Sequence, residues 1–268
     1  MCQALEVSRS GYYAFIKRPP SKCAIRRKEL LETIKYIFED NHKIYGAPRV
    51  TRALPENQRA CVGTVAKLMR ENSIRPITVN KYKATTNSKH LLPVAENILN
   101  REFIADKRNK KWVSDITYFW TGEGWLYLAA LLDLYDKAIV GWSVGSRIRT
   151  DLISSALEKA IRRTKATEGL LVHSDRGVQY ASNEYQSLLK KNHFICSMSR
   201  KGNCYDNAPM ESFWGKLKTE WLYGRLLKTR EQAEETLFEY IELFYNRKRL
   251  HSGNGYVAPL KMKNDALS

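Results

Sequence analysis

The chain has 268 residues, 43% of them hydrophobic, and a formal charge of +17 from 45 Lys and Arg against 28 Asp and Glu. That apolar content excludes wholesale disorder and allows one large domain or two modest ones, and the charge favours a polyanionic partner, most simply nucleic acid. Five scattered cysteines without zinc-ligand spacing, no run near the ~20 apolar residues of a membrane span and no signal-peptide core lead us to expect a soluble cytoplasmic protein with free thiols and no membrane partner.

Residues 1–90 read as helical and basic. Leu30, Leu31, Ile34, Ile37 and Phe38 form one apolar stripe at helical spacing over 24–41. Gly46-Ala47-Pro48 breaks it. A short helix from Arg49 to Leu54 is stopped by Pro55, and Val62, Val65, Leu68 and Met69 mark another that ends near Asn72. Short helices, tight breaks and many cations suggest a helix-turn-helix-like module. A helical bundle with a solvated basic surface fits the pattern equally well. Residues 77–100 are polar and look like a linker across a domain boundary, and we set the linker itself at 91–104.

Residues 105–225 change character. KWVSDITYFW alternates, with Val113, Asp115, Thr117 and Phe119 on one face and Trp112, Ser114, Ile116 and Tyr118 on the other. WLYLAALLDLYDKAIVGWSV reads as two more strands folded at Asp133 to Lys137, so three strands make a meander. A helix over 151–163 turns Leu152, Ala156 and Leu157 inward, with Asp151 near its N-cap. LLVHSD is a buried strand, Asn183 begins a helix, and FICSM is a fifth strand. The order βββαβαβ, then α, describes an α/β fold: a mixed five-stranded sheet with helices on its faces. Residues 226–268 hold a last helix, with Ala233, Leu237, Tyr240, Ile241 and Phe244 at helical spacing. It runs into the basic string YNRKRLHS, a C-terminal helical arm.

Three carboxylates stand out in this frame. Asp115 lies mid-strand among β-branched and aromatic neighbours, where an acid is locally unfavourable and should be paired, hydrogen-bonded or metal-bound. Asp175 sits where the fourth strand ends. If that strand lies beside the first, the two anions can meet, and a divalent cation would relieve their repulsion. Glu211 opens a helical pattern after Pro209. Lys218 falls on the same face two turns later, while Phe213, Trp214, Leu217 and Trp221 form a separate apolar face that can dock on the sheet. Singly, each acid reads more readily as a turn or surface residue. Phosphodiester chemistry can use two Mg²⁺ ions on such hard oxygen ligands. Asp133 reads as a cap on the hairpin turn, Asp206 as a loop-ordering residue with Asn207 capping the next helix, and His173 as structural, because Mg²⁺ disfavours imidazole.

Thirty-five residues separate Asp175 from Glu211, with Asp115 upstream. This spacing resembles the Asp, Asp-35-Glu signature of the retroviral integrase and transposase superfamily. WVSDITY, EGWLYLAALLDLYDKAIVGWSV, HSDRGVQYAS, GNCYDNAPMESFWGKLKTE and YNRKRLHS look like the second-reading-frame transposase of bacterial insertion sequences, as do SRSGYYAF and YGAPRV. The resemblance covers nearly the whole chain. It implies an RNase H-like catalytic core at 105–225 and a catalytic, metal-binding triad of Asp115, Asp175 and Glu211 with two Mg²⁺ or Mn²⁺ ions. It also implies double-stranded DNA as partner, a homo-oligomer that brings two DNA ends together, and action alone or fused to the upstream-frame product near the nucleoid. Water or a terminal 3′-OH would attack a phosphodiester in line, without a covalent protein–DNA intermediate. Lys218 would touch element-end DNA, and Lys216, Arg247, Lys248 and Arg249 are further candidates for phosphate contacts. A catalytically decayed DNA-binding regulator is the alternative.

Overall fold

The computed structural model describes residues 8–77, 94–200 and 203–262. The chain divides into two compact units, Met1–Ile77 and Thr78–Ser268. Residues 78–93, which include only the first three of the expected 91–104 linker, lie outside the described residues.

The N-terminal unit is helical: α1 (Arg9–Lys17), α2 (Lys22–Asp40), α3 (Ala47–Ala53) and α4 (Val62–Glu71). The expected stripe is its core, since Leu30, Ile34, Ile37 and Phe38 of α2 are buried with Val50, Val65, Leu68 and Met69. Leu31, which the expected stripe included, is the exception and stays half-exposed. Ser21 caps α2 by accepting from the Ala24 N–H at 3.1 Å, and Arg27 of α2 pairs with Glu71 of α4. Sequence reasoning marked no helix at α1. Its apolar residues Tyr12, Phe15 and Ile16 stand at helical spacing but are exposed, and it buries none of its residues; Ser8 caps it, its hydroxyl accepting from the Gly11 N–H at 3.1 Å.

The second unit is built on a five-stranded sheet of β1 (Lys111–Thr121), β2 (Gly124–Asp133), β3 (Ile139–Gly145), β4 (Leu171–Ser174) and β5 (Ile195–Met198). Its spatial order is β3-β2-β1-β4-β5. The meander β1-β2-β3 is antiparallel, and β4 and β5 join β1 in parallel. Such crossovers need helices on the sheet faces, and α5 (Thr150–Thr164) and α6 (Asn183–Lys191) supply them. One face packs Trp112, Ala129, Leu131, Val140 and Val172 against Leu152, Ile153, Ala156 and Leu157 of α5 and Tyr185 and Leu189 of α6. Gly141 lets α5 approach β3 this closely: a Cβ there would stand 2.4 Å from the Ala156 carbonyl oxygen.

Across the other face run α7 (Ala208–Leu217), which loosens into a π-helical turn at Lys218–Leu222, and α8 (Arg230–Phe238), which continues as a π-helical stretch at Glu239–Tyr245. The predicted apolar faces hold. Phe213, Trp214, Leu217 and Trp221 are buried, as are Ala233, Leu237, Tyr240, Ile241 and Phe244.

The segment expected to be an arm belongs to the same compact unit as the sheet. Asn246 closes the outer edge of β3 by accepting from the Ile139 N–H at 2.9 Å and donating to its carbonyl at 3.0 Å. Glu242 accepts from both Arg163 terminal nitrogens, at 2.7 and 2.6 Å, and from Trp142 Nε1 at 3.0 Å. Residues 96–99 also pack: the Ile98 and Leu99 N–H groups donate to Ser197 Oγ, and Leu99 is buried.

Candidate active site

Asp115 occupies the middle of β1, opposite Ala130 of β2. Its backbone is fixed by the sheet, and its neighbour Ser114 is locked below by a 2.9 Å hydrogen bond with the Tyr180 hydroxyl. Parallel pairing of β1 with β4 runs through Val113 and His173. Two residues further on each strand stand Asp115 and Asp175, where β4 ends and the edge of β1 is uncovered. Asp175 is held in the turn after β4 by accepting from the Gly177 N–H at 2.9 Å.

The third acid arrives on α7. Pro209 opens that helix, and Glu211 lies in its first turn, where the helix dipole favours negative charge. Two contacts fasten the start of α7 over Asp115. Asn207 Nδ2 donates to the Ser114 carbonyl at 3.1 Å, and Trp214 Nε1 donates to Asp115 Oδ2 at 2.9 Å.

The electrostatics register this convergence. Loss of solvent lifts the Asp115 carboxyl to about 7, and the negative charges of Asp175 and then Glu211 push the same way, against hydrogen bonds from Trp214 and the Ile116 N–H. Loss of solvent also raises the Glu211 carboxyl. The three acids are thus near enough to repel. Among the described residues, no group of three or more His, Cys, Asp or Glu side chains is drawn together tightly enough to hold a metal ion. The donor set fits hard divalent cations: it is all oxygen, it is anionic, and its mutual repulsion is what a cation would offset.

Asp206 orders the loop into α7. Its side chain is 0% exposed and accepts five hydrogen bonds: from Arg101 Nε at 2.8 Å, from Arg200 at its backbone nitrogen (2.9 Å), Nε (3.0 Å) and a terminal nitrogen (2.8 Å), and from Asn97 Nδ2 at 3.0 Å. The Arg200 guanidinium, the largest cause, holds its carboxyl well below the usual range. Sequence reasoning expected a loop-ordering acid here but named neither partner; Arg200 is only six residues away, while Arg101, 105 residues away, is beyond any local pattern. The expected Asn207 cap is not formed; its side chain reaches β1 instead.

The remaining candidates resolve individually. Asp133 caps the hairpin turn, accepting from the Tyr135 N–H at 2.8 Å, the Asn109 N–H at 2.7 Å and Trp112 Nε1 at 3.2 Å. His173 is fully buried between Ser197 Oγ (2.9 Å) and Ser199 Oγ (3.1 Å), and burial lowers it to about 4, so it stays neutral at pH 7. Lys218 is half-buried with its Nζ 5.8 Å from the Tyr118 ring centroid. Burial lowers its ammonium, and the attraction of Asp115 opposes this. Lys216 is half-buried, its Nζ 3.0 Å from Ser212 Oγ, and Arg247 and Lys248 are exposed.

Arg249 is a correction. It is not a surface cation: its side chain is 1% exposed, it pairs with Glu220 through Nε at 2.6 Å and through a terminal nitrogen, and it lies 5.8 Å from the Tyr245 ring centroid. The Tyr240 hydroxyl donates to the same carboxylate at 3.0 Å. The Glu220–Arg249 pair is a structural bolt between the π-helical turn after α7 and the chain beyond α8.

Comparison with known proteins supplies the context. An HTH-like domain family matches residues 26–82, and two integrase core domain families match residues 105–204 and 211–267. The chain is 44% identical to the insertion element IS600 uncharacterized 31 kDa protein of Shigella sonnei, over 97% of this chain and 96% of that one. It is 40% identical to the transposase InsF for insertion sequence IS3A of Escherichia coli (strain K12), over 100% of this chain and 94% of that one. Among solved structures, a chain of the simian T-cell lymphotropic virus intasome in complex with PP2A regulatory subunit B56 gamma superposes with a TM-score of 0.51. It is 17% identical and covers 86% of this chain and 73% of that one, a likeness of fold.

Proposed function

Because the chain belongs to the IS3-type insertion-sequence transposases and carries their integrase-type core, we propose that Asp115, Asp175 and Glu211 are the carboxylates with which it cuts and joins DNA. As a transposase of this family it is an enzyme of DNA strand cleavage and transfer. The observation that carries the residue assignment is geometric: β4, which ends just before Asp175, lies beside β1, and the helix that carries Glu211 is tied to Asp115 by the Trp214 hydrogen bond, with the Asp115 carboxyl raised as a consequence. An arrangement this costly in the folded state is what functional sites store.

Two Mg²⁺ or Mn²⁺ ions, when bound, would stabilise the charge on the attacking and leaving oxygens of an in-line displacement. The chain's own part is placement. β1 fixes Asp115, the turn after β4 fixes Asp175, and α7 brings Glu211 over them, with Trp214 holding one oxygen of Asp115 in position. The attacking water or 3′-OH comes from solvent or DNA, and no side chain of the trio is required to bond to phosphorus. Lys218, beside Asp115, binds a phosphate next to the scissile one, and Lys216, Arg247 and Lys248 add further phosphate contacts.

The DNA-binding region is residues 1–90, supported by the HTH-like match at 26–82. The protein acts as an oligomer on two element ends in the cytoplasm, alone or joined to an upstream-frame product. No helix among the described residues is long and apolar enough to cross a membrane. The alternative of a decayed regulator gains nothing from relatives that match along the whole chain.

The test is a labelled element-end duplex incubated with the protein and Mg²⁺ or Mn²⁺. Wild type nicks and transfers the strand. Glu211→Gln binds the same DNA and does neither. Equal activity of the two proteins refutes the assignment.

A further inference from the structure

Beyond Asp115, β1 and β2 continue as a two-stranded ribbon that carries an open aromatic surface. Tyr118 is 50% exposed, Trp120 60% and Trp125 45%, and Tyr127 is half-exposed. All four lie on one face, because Tyr118 pairs with Tyr127 and Trp120 with Trp125 across the strands. Their rings form a chain of contacts: Trp120 to Trp125 at 5.0 Å, Trp125 to Tyr118 at 5.2 Å and Tyr118 to Tyr127 at 6.0 Å between centroids. Four adjacent exposed aromatics are far more than the scattered single apolar residues of an ordinary surface.

The ribbon is braced. The Gly122 N–H at its tip donates to the Leu227 carbonyl at 2.9 Å, and a Cβ at Gly122 would stand 2.4 Å from the Lys228 carbonyl oxygen. The Arg230 N–H donates to Glu123 Oε2 and its guanidinium to the Glu123 carbonyl, both at 2.8 Å. Folding itself therefore holds the rings in place, which lowers the entropic cost of using them for binding.

Cations flank the surface. On the active-site side, Lys218 reaches Tyr118 with its ammonium and is drawn electrostatically to Asp115. On the far side, Tyr127 pairs with Gly145, and the turn that follows carries exposed Arg147 and Arg149. At ~3.3 Å per strand residue, Tyr118 and Trp120 stand about 10 Å and about 16 Å along β1 from Asp115, on the opposite face of the sheet, and Lys218, drawn to Asp115 and 5.8 Å from the Tyr118 ring centroid, links the two faces. Aromatic faces interleaved with cations are the chemistry that holds unpaired nucleotides: bases stack on rings, and phosphates pair with the positive groups.

We propose that the Tyr118, Trp120, Trp125 and Tyr127 surface is a stacking platform for unpaired nucleotides of the DNA strand that leaves the active site past Lys218. This rests on the reading of Asp115, Asp175 and Glu211 as the site of strand cleavage, and it adds that the DNA is unpaired beside the scissile phosphate. The platform takes any base, since every base has a stacking face. Duplex DNA, whose bases are already stacked, gains nothing from it.

The experiment uses the full chain in the presence of a chelator, so that binding is read without catalysis. Two labelled DNAs are compared, a blunt duplex and the same duplex ending in a short single-stranded thymidine flank. Trp120→Leu/Trp125→Leu is expected to weaken binding of the flanked DNA by at least about tenfold and to leave the blunt duplex unchanged. Trp120→Phe/Trp125→Phe, which keeps ring faces, restores the flanked DNA. Equal losses on both DNAs, no loss on the flanked DNA, or a failure of the Phe variant to restore it overturns the proposal. So does a change confined to self-association in sedimentation, which assigns the surface to a second copy of the chain. Strand cleavage by wild type and Glu211→Gln, measured separately with Mn²⁺, distinguishes a failed platform from a failed catalytic assignment: in the first case wild type still cuts and the Gln variant does not.

Discussion

Trp214 and Asp115, 99 residues apart, are joined by a 2.9 Å hydrogen bond from the indole N–H to Oδ2. An indole has one donor and no acceptor, so this contact can only favour the ionised acid, and it occupies one of its two oxygens. It also ties α7, which carries Glu211, to the strand that carries Asp115.

Trp214→Phe keeps most of the buried ring and removes the donor. We expect weaker divalent-ion binding, read by Mn²⁺ titration, and strand transfer that recovers when the metal concentration is raised. Stability should fall by about 1–3 kcal/mol, the cost of an orphaned buried acceptor. Unchanged metal affinity would count against the role.

Asp115 makes folding depend on pH in a definite direction. Its carboxyl stands at about 7 in the folded chain against an ordinary 3.8. Between those values the folded chain keeps a proton that the unfolded chain releases, so this group's contribution is present below about pH 4 and is lost as pH rises through about 7. Without metal, Asp115→Asn should therefore raise Tm by about 2–4 °C at pH 8 and by little at pH 4. Adding Mg²⁺ should narrow the gap by stabilising only wild type. Thermal melts at the two pH values check it.

Asp206 works with the opposite sign. Its carboxyl lies well below the usual range because two guanidinium groups, a backbone N–H and an amide hold its charged form. That stabilisation is present above about pH 4 and is lost as pH falls toward the folded value. Asp206→Asn is expected to cost about 1.5–3 kcal/mol at pH 7 and to reduce turnover more than DNA affinity, because the loop it orders leads into the helix of Glu211. Denaturant melts and a turnover-against-affinity comparison measure both effects.

Neighbouring basic residues should behave differently. Arg249→Ala removes one partner of a buried pair and should destabilise by about 3–5 kcal/mol. Arg247→Ala, on an exposed residue, should leave stability nearly unchanged and reduce the log–log salt slope of duplex binding by about 0.9. Salt titrations of folded protein separate the two.

Much of the architecture is legible in residue order. Alternation marks β1 and its meander, helical spacing marks α2, α4 and α5, and the apolar face of Phe213, Trp214, Leu217 and Trp221 docks as its spacing predicts. The position of Asp175 at the end of a strand suffices to suggest its meeting with Asp115 once β4 lies beside β1. What stays hidden is long-range and side-chain specific. Three consecutive cations look alike in NRKR, and only the packed fold shows that Arg249 turns inward to Glu220. The contacts of Asp206 with Arg101 and of Trp214 with Asp115 link segments that no local periodicity connects.

The central claim is that Asp115, Asp175 and Glu211 together hold divalent ions. Crystals soaked in Mn²⁺ and measured at the manganese absorption edge test it most directly. The account predicts anomalous peaks bounded by oxygens of those three side chains, lost in Asp115→Asn. Manganese bound elsewhere, or unmoved by that substitution, would contradict it.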